Sequence, residues 1–142
     1  MTAQLIRAPG LYQDAPYAYA SIARPGAVIF TAGACPLDTA GLVVGGENVA
    51  AQARQAMTNL AAALAAAGAG LTDVLKTTVF VVSDDRADLV EVWDVVRAAF
   101  GDHDAPSTLL GIAALGYDGQ RVEIEAIAVA GGAGTASRPG QA

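Results

Sequence analysis

The residues with the clearest potential for chemistry are two glutamates in the last strand-like stretch of the chain, residues 122–130. Successive side chains of a strand point to opposite faces, so Glu123 and Glu125 share one face of this stretch. Its other residues are apolar, and a carboxylate is costly to bury without a partner. Two interpretations follow: the face that carries the acids is exposed to water, or it lines a site where Glu123 orients a water molecule for catalysis.

Other residues that could act chemically each have a structural alternative. Cys35 is the single cysteine, and because no His or Lys stands beside it in the sequence, it is interpreted as a small packed residue, with an accessible thiol as the alternative. Ser107 has only His103 nearby, so a Ser-His-Asp nucleophile is disfavoured and His103 is interpreted as a loop residue. Trp93 is interpreted as a core residue, unless it lines an apolar pocket at an interface. One cysteine and one histidine exclude an intrachain disulfide and the usual zinc sites, and no metal is expected.

The composition restricts the class of protein. Hydrophobic residues make up 54% and charged residues 15% of the 142 residues, and the net charge is −6. This length predicts one domain with its own core, and the sparse charge predicts a homo-oligomer in which other copies cover part of the surface. The eight basic residues form no cluster, which disfavours nucleic-acid binding. No apolar run is long enough to span a bilayer and no signal sequence is evident, so we expect a cytoplasmic protein without membrane association.

Hydrophobic periodicity predicts two helices. The first is expected from a cap at Glu47 or Asn48 to about Ala67, where glycines follow. The second is expected over residues 87–100. Both have an apolar stripe that can pack on a sheet.

The remaining segments predict strands and loops. We expect a lead-in segment before residue 17, a hairpin over residues 17–32 and a short edge strand at residues 42–44, then strands at residues 74–82, 108–115 and 121–130. The tail, residues 131–142, is expected to be disordered because it has little to bury. This order predicts an α+β fold with two helices on one face of a mixed sheet. The other face is expected to be covered by another subunit.

Five stretches together resemble the Rid (YjgF/YER057c/UK114) family. They are residues 19–36, 51–60, 66–68, 74–80 and 122–128, and they occur in the family's order. The resemblance implies a chorismate-mutase-like fold of the bacillus type over residues 1–130. It also implies a homotrimer with clefts between subunits. In characterised relatives those clefts hydrolyse enamines or imines without a metal or cofactor.

The resemblance also implies where the site residues lie. The family's tyrosine falls on Tyr19, its strand-end glycine on Gly33 and its water-positioning glutamate on Glu123. Two positions depart from the family: Ala32 replaces the family's serine, and Ser107 replaces its carboxylate-binding arginine. The predicted site therefore has Glu123 as the catalytic residue and binds a small-molecule ligand through Tyr19, Ala32, Gly33, Cys35, Trp93, Ser107, Thr108 and Leu109.

The missing arginine bears on the substrate. A guanidinium makes a planar two-point contact with a carboxylate, whereas Ser107 supplies one neutral hydroxyl. Losing such a pair costs about 1.5–3 kcal/mol, or one to two decades of affinity. The sequence therefore predicts an enamine or imine deaminase whose substrate is not a typical 2-aminoacrylate-type amino acid, unless backbone N–H groups bind the carboxylate. The alternative is a non-catalytic trimer that binds a small ligand in the same cleft, and ribonuclease activity ranks last because of the acidic charge.

Overall fold

Two helices cover one face of a four-stranded mixed sheet in the computed structural model, which describes residues 3–131. The strands are β1 (Ala3–Ile6), β2 (Ala20–Ala23), β3 (Val28–Phe30), β4 (Val74–Val82), β5 (Ser107–Ile112) and β6 (Val122–Val129), and the helices are α1 (Val49–Ala66) and α2 (Arg86–Phe100). The main sheet has the order β3-β6-β4-β5, in which β4 and β5 are parallel and the other pairs are antiparallel. Strands β1 and β2 form a separate antiparallel pair. The predicted α+β class is confirmed.

Both helices begin at polar caps that the sequence supplies. The side chain of Asn48 accepts a hydrogen bond from the backbone N–H of Ala51 at 3.0 Å, and Asp85 accepts one from Ala87 at 2.9 Å. Each bond satisfies a donor that has no partner within its own helix. The predictions for both helices are confirmed, with α2 beginning one residue earlier than expected.

The core lies between the helices and the sheet. Ile124 of β6 is fully buried there, as are Leu60 and Leu64 of α1. Ala53 and Ala56 are also fully buried, and their small side chains let α1 lie close to the sheet. Alternation along β6 places Glu123 and Glu125 on one face, as predicted, and this face is opposite the helices.

The predicted hairpin over residues 17–32 is wrong. Strand β2 pairs with β1, and β3 pairs with the closing strand β6. The glycine of the expected turn, Gly26, instead packs against β6, and a Cβ there would lie 2.2 Å from the carbonyl oxygen of Ala130. Strand β3 thus pairs with a buried strand that is distant in the sequence. A local turn signal gives no information about such a partner.

Three other sequence predictions have different outcomes. The lead-in segment contains an ordered strand, β1. The edge strand expected at residues 42–44 is reduced to a single bridge between Leu37 and Val43. The expected disorder of the tail falls almost entirely on residues 132–142, outside the described part of the chain. No helix within residues 3–131 is long and apolar enough to cross a membrane.

The face of the sheet opposite the helices, here called the open face, exposes large apolar side chains. Phe30 is 75% exposed, and Val28 and Leu110 are 51% and 41% exposed. Glu123 and Glu125 lie on the same face. Large exposed apolar patches are typical of surfaces that contact other molecules.

Candidate functional site

The first candidate group surrounds Glu123 on the open face. Strand β6 places this residue opposite Phe80 of β4, and its side chain is half-buried. Its Oε1 atom lies 3.1 Å from the Sγ of Cys35 and 3.4 Å from the Nε2 of Gln120. Two neutral donors therefore hold one carboxylate oxygen. Among residues 3–131, no donor contacts Oε2 within hydrogen-bond distance, so this oxygen can accept a proton.

Gly33 provides the space in which this carboxylate lies. A Cβ at Gly33 would lie 2.5 Å from the Cδ of Glu123 and 2.6 Å from its Oε2. The next residue, Ala34, exchanges two backbone hydrogen bonds with Ile124, at 2.7 and 3.1 Å. The segment that contains Gly33 and Cys35 is thus bonded directly to the strand that carries Glu123. Ala32 is exposed beside Gly33.

Asn59 and Gln120 belong to this group, although the sequence did not indicate a role for either. The Nδ2 of Asn59 donates to the carbonyl oxygens of Cys35 and Leu37, at 2.8 and 2.9 Å. Gln120 is buried and also donates to the carbonyl of Val122 at 3.1 Å. An amide on the inward side of a helix was the one signal that could have identified Asn59.

The thiol of Cys35 is kept protonated by its surroundings. Burial raises its pKa to about 11, and the hydrogen bond to Glu123 and the charge of that carboxylate act in the same direction. Gln120 opposes the shift. Because the thiolate is the nucleophilic form, Cys35 is not an activated nucleophile.

The second candidate group lines a pocket of about 480 Å³ beside β5. Its lining consists of Tyr17, Trp93, Ser107, Thr108 and Leu109. Three of these side chains are apolar or aromatic, three have hydroxyls because Tyr17 counts in both groups, and none has a charge.

Tyr17, and not Tyr19, belongs to this pocket. The hydroxyl of Tyr19 donates to the carbonyl oxygen of Tyr12 at 2.7 Å. The Tyr19 ring packs edge-to-face against Tyr17, with centroids 5.7 Å apart. Tyr19 therefore supports the residue that lines the pocket.

The loop that carries Tyr17 is held by Arg7. The guanidinium donates to the carbonyl oxygens of Ala15 and Tyr17, at 3.0 and 2.8 Å, and forms an ion pair with Asp104 at 2.7 Å. These contacts fix the backbone on both sides of the loop, so the Tyr17 ring has a defined position.

Ser107 and His103 both have structural partners. The hydroxyl of Ser107 accepts a hydrogen bond from Thr77 at 2.7 Å. The Nε2 of His103 lies 2.7 Å from the carbonyl oxygen of Val74, and the ring is buried. Neither residue forms part of a nucleophile and base pair.

Glu123 of the first group and Ser107 of the second point to opposite faces of the sheet. Glu123 pairs with Phe80, which pairs with Leu110, so all three share the open face. Ser107 is three positions before Leu110 on β5 and therefore points to the other face. One copy of the chain does not bring Ser107 and Glu123 together. Thr108 does share the open face, where the ammonium of Lys76 donates to its hydroxyl at 2.7 Å.

The chemistry available to the site comes from side chains that exchange protons. In the described part of the chain, no group of three or more His, Cys, Asp or Glu side chains could hold a metal ion. The Glu123 carboxylate, with one oxygen fixed and the other open, can orient a water molecule and remove its proton.

Known proteins resemble the chain over most of its length. The family model described as Endoribonuclease L-PSP matches residues 11–130. The 2-iminobutanoate/2-iminopropanoate deaminase of Salmonella typhimurium is 39% identical over 107 residues, which cover 73% of this chain and 80% of the relative. The Bos taurus protein of the same name is 42% identical over 111 residues, 77% of each chain.

Solved structures of this family also resemble the chain. The Rid-family protein YyfB from Yersinia pestis superposes with a TM-score of 0.85 at 29% identity, covering 91% of this chain and 99% of that one. E. coli TdcF with bound serine superposes with a TM-score of 0.64 at 31% identity, covering 90% and 99%. Both structures have the arrangement of helices and sheet described above.

Proposed function

Because this chain belongs to the endoribonuclease L-PSP family, which contains the YjgF/Rid proteins, we propose that it hydrolyses the C=N bond of small imines or of the enamines from which they form. The deaminase names of its relatives at 39–42% identity support this activity. The observation that carries the proposal is the geometry of Glu123, in which one carboxylate oxygen is fixed and the other is open.

The reaction needs one well-placed carboxylate. A water molecule bonded to Oε2 of Glu123 adds its oxygen to the imine carbon while Glu123 takes the proton. The same proton then passes to the nitrogen, which gives a neutral carbinolamine. Glu123 next takes the proton of the new hydroxyl group and delivers it to the nitrogen as the C–N bond breaks, so that a carbonyl compound and ammonia leave. Acid–base catalysis of this kind accelerates reactions by about 10²–10⁴-fold.

The pocket beside β5 supports a particular class of substrate. Its lining, which includes Tyr17, Trp93 and Leu109, contains no charged side chain to pair with a carboxylate, and the Lys76 ammonium that bonds to Thr108 lies on the open face. The hydroxyl of Ser107 is engaged by Thr77. We therefore expect an imine with an apolar or aromatic side group and no α-carboxylate.

A complete site is expected to need two copies of the chain. Glu123 and Ser107 point to opposite faces, and the open face exposes Phe30 and Leu110. In a homotrimer, the pocket of one subunit can meet the Glu123 face of the next. Size-exclusion chromatography with light scattering tests this assembly, and a monomer at micromolar concentration would contradict it.

The test of the activity is a panel of imines generated in situ by oxidases, half with an α-carboxylate and half without. Semicarbazide traps the remaining imine, so catalysis lowers the amount trapped. We expect acceleration for the carboxylate-free members. Ser107→Arg is expected to raise activity on carboxylate imines about 10–100-fold, since it adds a charge-assisted pair. Thr58→Arg, which adds the same charge at an exposed position of α1, is the control. No acceleration over buffer for any member would exclude the proposed activity.

A second candidate function is ligand binding without turnover. The neutral pocket with two aromatic walls favours it, because such a surface binds apolar molecules without needing Glu123. A ligand that raises the melting temperature of wild type and of Glu123→Gln equally, with no ammonia released by either, would support this candidate.

A further inference from the structure

Cys35 contacts the proposed catalytic carboxylate, yet the reaction as written gives it no role. We propose that Cys35 is a positioning residue: its S–H donates to Oε1 of Glu123 and turns Oε2 toward the reacting water. This inference rests on the proposed deaminase activity. It concerns the orientation of Glu123 and assigns no covalent chemistry to the thiol.

The geometry supports a directed contact. The Sγ of Cys35 lies 3.1 Å from Oε1, within the range for a sulfur donor. On one side of Cys35, Ala34 is bonded to Ile124 of β6. On the other, Asn59 holds the Cys35 carbonyl at 2.8 Å. Backbone contacts on both sides of Cys35 therefore hold its thiol beside the carboxylate without relying on the S–H bond itself.

The charges around the pair keep the thiol a donor. Burial and the neighbouring carboxylate raise the pKa of Cys35 to about 11, so the S–H is retained at neutral pH. Gln120, the other group on Oε1, is neutral. Arg121 points away and pairs with Asp88 at 3.0 Å. Glu125 lies two positions farther along β6 on the same open face and is exposed. The thiol thus donates to Glu123 without competition from a cation on β6.

The kinetic test compares Cys35→Ala with Cys35→Ser. The alanine variant removes the donor, and kcat is expected to fall about tenfold while KM changes less than twofold, since substrate binding is not affected. The serine variant restores a donor and is expected to recover most of the loss. A purely structural role would instead lower the melting temperature and leave kcat per folded enzyme unchanged. Wild-type kcat in Cys35→Ala would overturn the proposal.

An independent test measures the contact without relying on catalysis. Because Cys35 is the single cysteine, its alkylation by iodoacetamide can be followed by intact mass. Glu123→Gln removes the negative charge, which increases the fraction of Cys35 present as thiolate at pH 8.5. A thiolate of lower pKa is a weaker nucleophile, which offsets part of this gain, so the alkylation rate is expected to rise about threefold or more. Glu125→Gln, the matched control, is expected to leave the rate unchanged.

The two measurements separate the possible failures. An equal alkylation rate in wild type and Glu123→Gln would overturn the contact and the positioning role together. A raised alkylation rate in a protein that releases no ammonia would refute the proposed function, and with it the positioning role, while leaving the contact intact.

Discussion

Replacement of Gly33 by alanine is expected to separate activity from stability. The new methyl would lie 2.5 Å from the Cδ and 2.6 Å from the Oε2 of Glu123. Carbon atoms pack favourably at about 3.5–4.0 Å, so the carboxylate must retreat by about 1 Å. Gly33 does not have a left-handed backbone conformation, so alanine adds no strain of that kind. The whole effect therefore falls on the position of Glu123.

The structure gives a magnitude for each effect. The displaced group is the end of a flexible side chain, and an off-rotamer conformation costs about 0.5–1.5 kcal/mol, so the fold is expected to survive. A shift of about 1 Å at a catalytic group, in contrast, can lower the rate about 10²-fold. It also breaks the hydrogen bond from Cys35.

The assay measures kcat on a carboxylate-free imine and the melting temperature of the same preparation. Gly70→Ala is the matched control, because a Cβ there would meet no atom within 4 Å. We expect a melting temperature close to wild type in both variants and a loss of kcat only in Gly33→Ala. Wild-type kcat in Gly33→Ala would refute the assignment of Glu123 as the catalytic residue.

Three further predictions concern stability, pH and substrate. Gln52 is fully buried, and its side chain donates to the carbonyls of Gly46 and Gly119 and accepts from the N–H of Arg121. Gln52→Ala is therefore expected to lower the free energy of unfolding by about 2–4 kcal/mol, as measured by urea titration. Hydrogen bonds from Ser83, and secondarily from Arg121, lower the pKa of Asp88. The ionised carboxylate therefore stabilises the fold at pH values above its unfolded-state pKa, and this stabilisation is lost as the pH falls through the folded-state pKa. Asp88→Asn is expected to reduce the difference in melting temperature between pH 7 and pH 3. Trp93→Ala removes an aromatic wall of the pocket and is expected to raise KM for aromatic imines at least fivefold, with kcat nearly unchanged, in steady-state kinetics.

The sequence predicted the elements whose signals are local. Strand β4 was predicted with its observed bounds because it is rich in β-branched residues, and a cap at Glu47 or Asn48 was expected where α1 begins. The alternation along β6 predicted that Glu123 and Glu125 share one face of the strand, as they do.

The features that escaped prediction depend on distant residues. The partner of β3 was missed because pairing with β6 joins segments about a hundred positions apart. The contact between Cys35 and Glu123 spans 88 positions and depends on the same pairing. Tyr17, and not Tyr19, lines the pocket, and Arg7 and Asp104 fix the loop that carries Tyr17. The spacing of residues along the sequence does not predict this arrangement.

The most direct measurement is the rate of ammonia release from a carboxylate-free imine by wild type and by Glu123→Gln. The substitution keeps the size of the side chain and removes the group that accepts the proton from water. We predict that wild type accelerates release over buffer and that Glu123→Gln loses at least 10²-fold of that acceleration with an unchanged melting temperature. Equal rates in the two proteins would contradict the central role of this carboxylate.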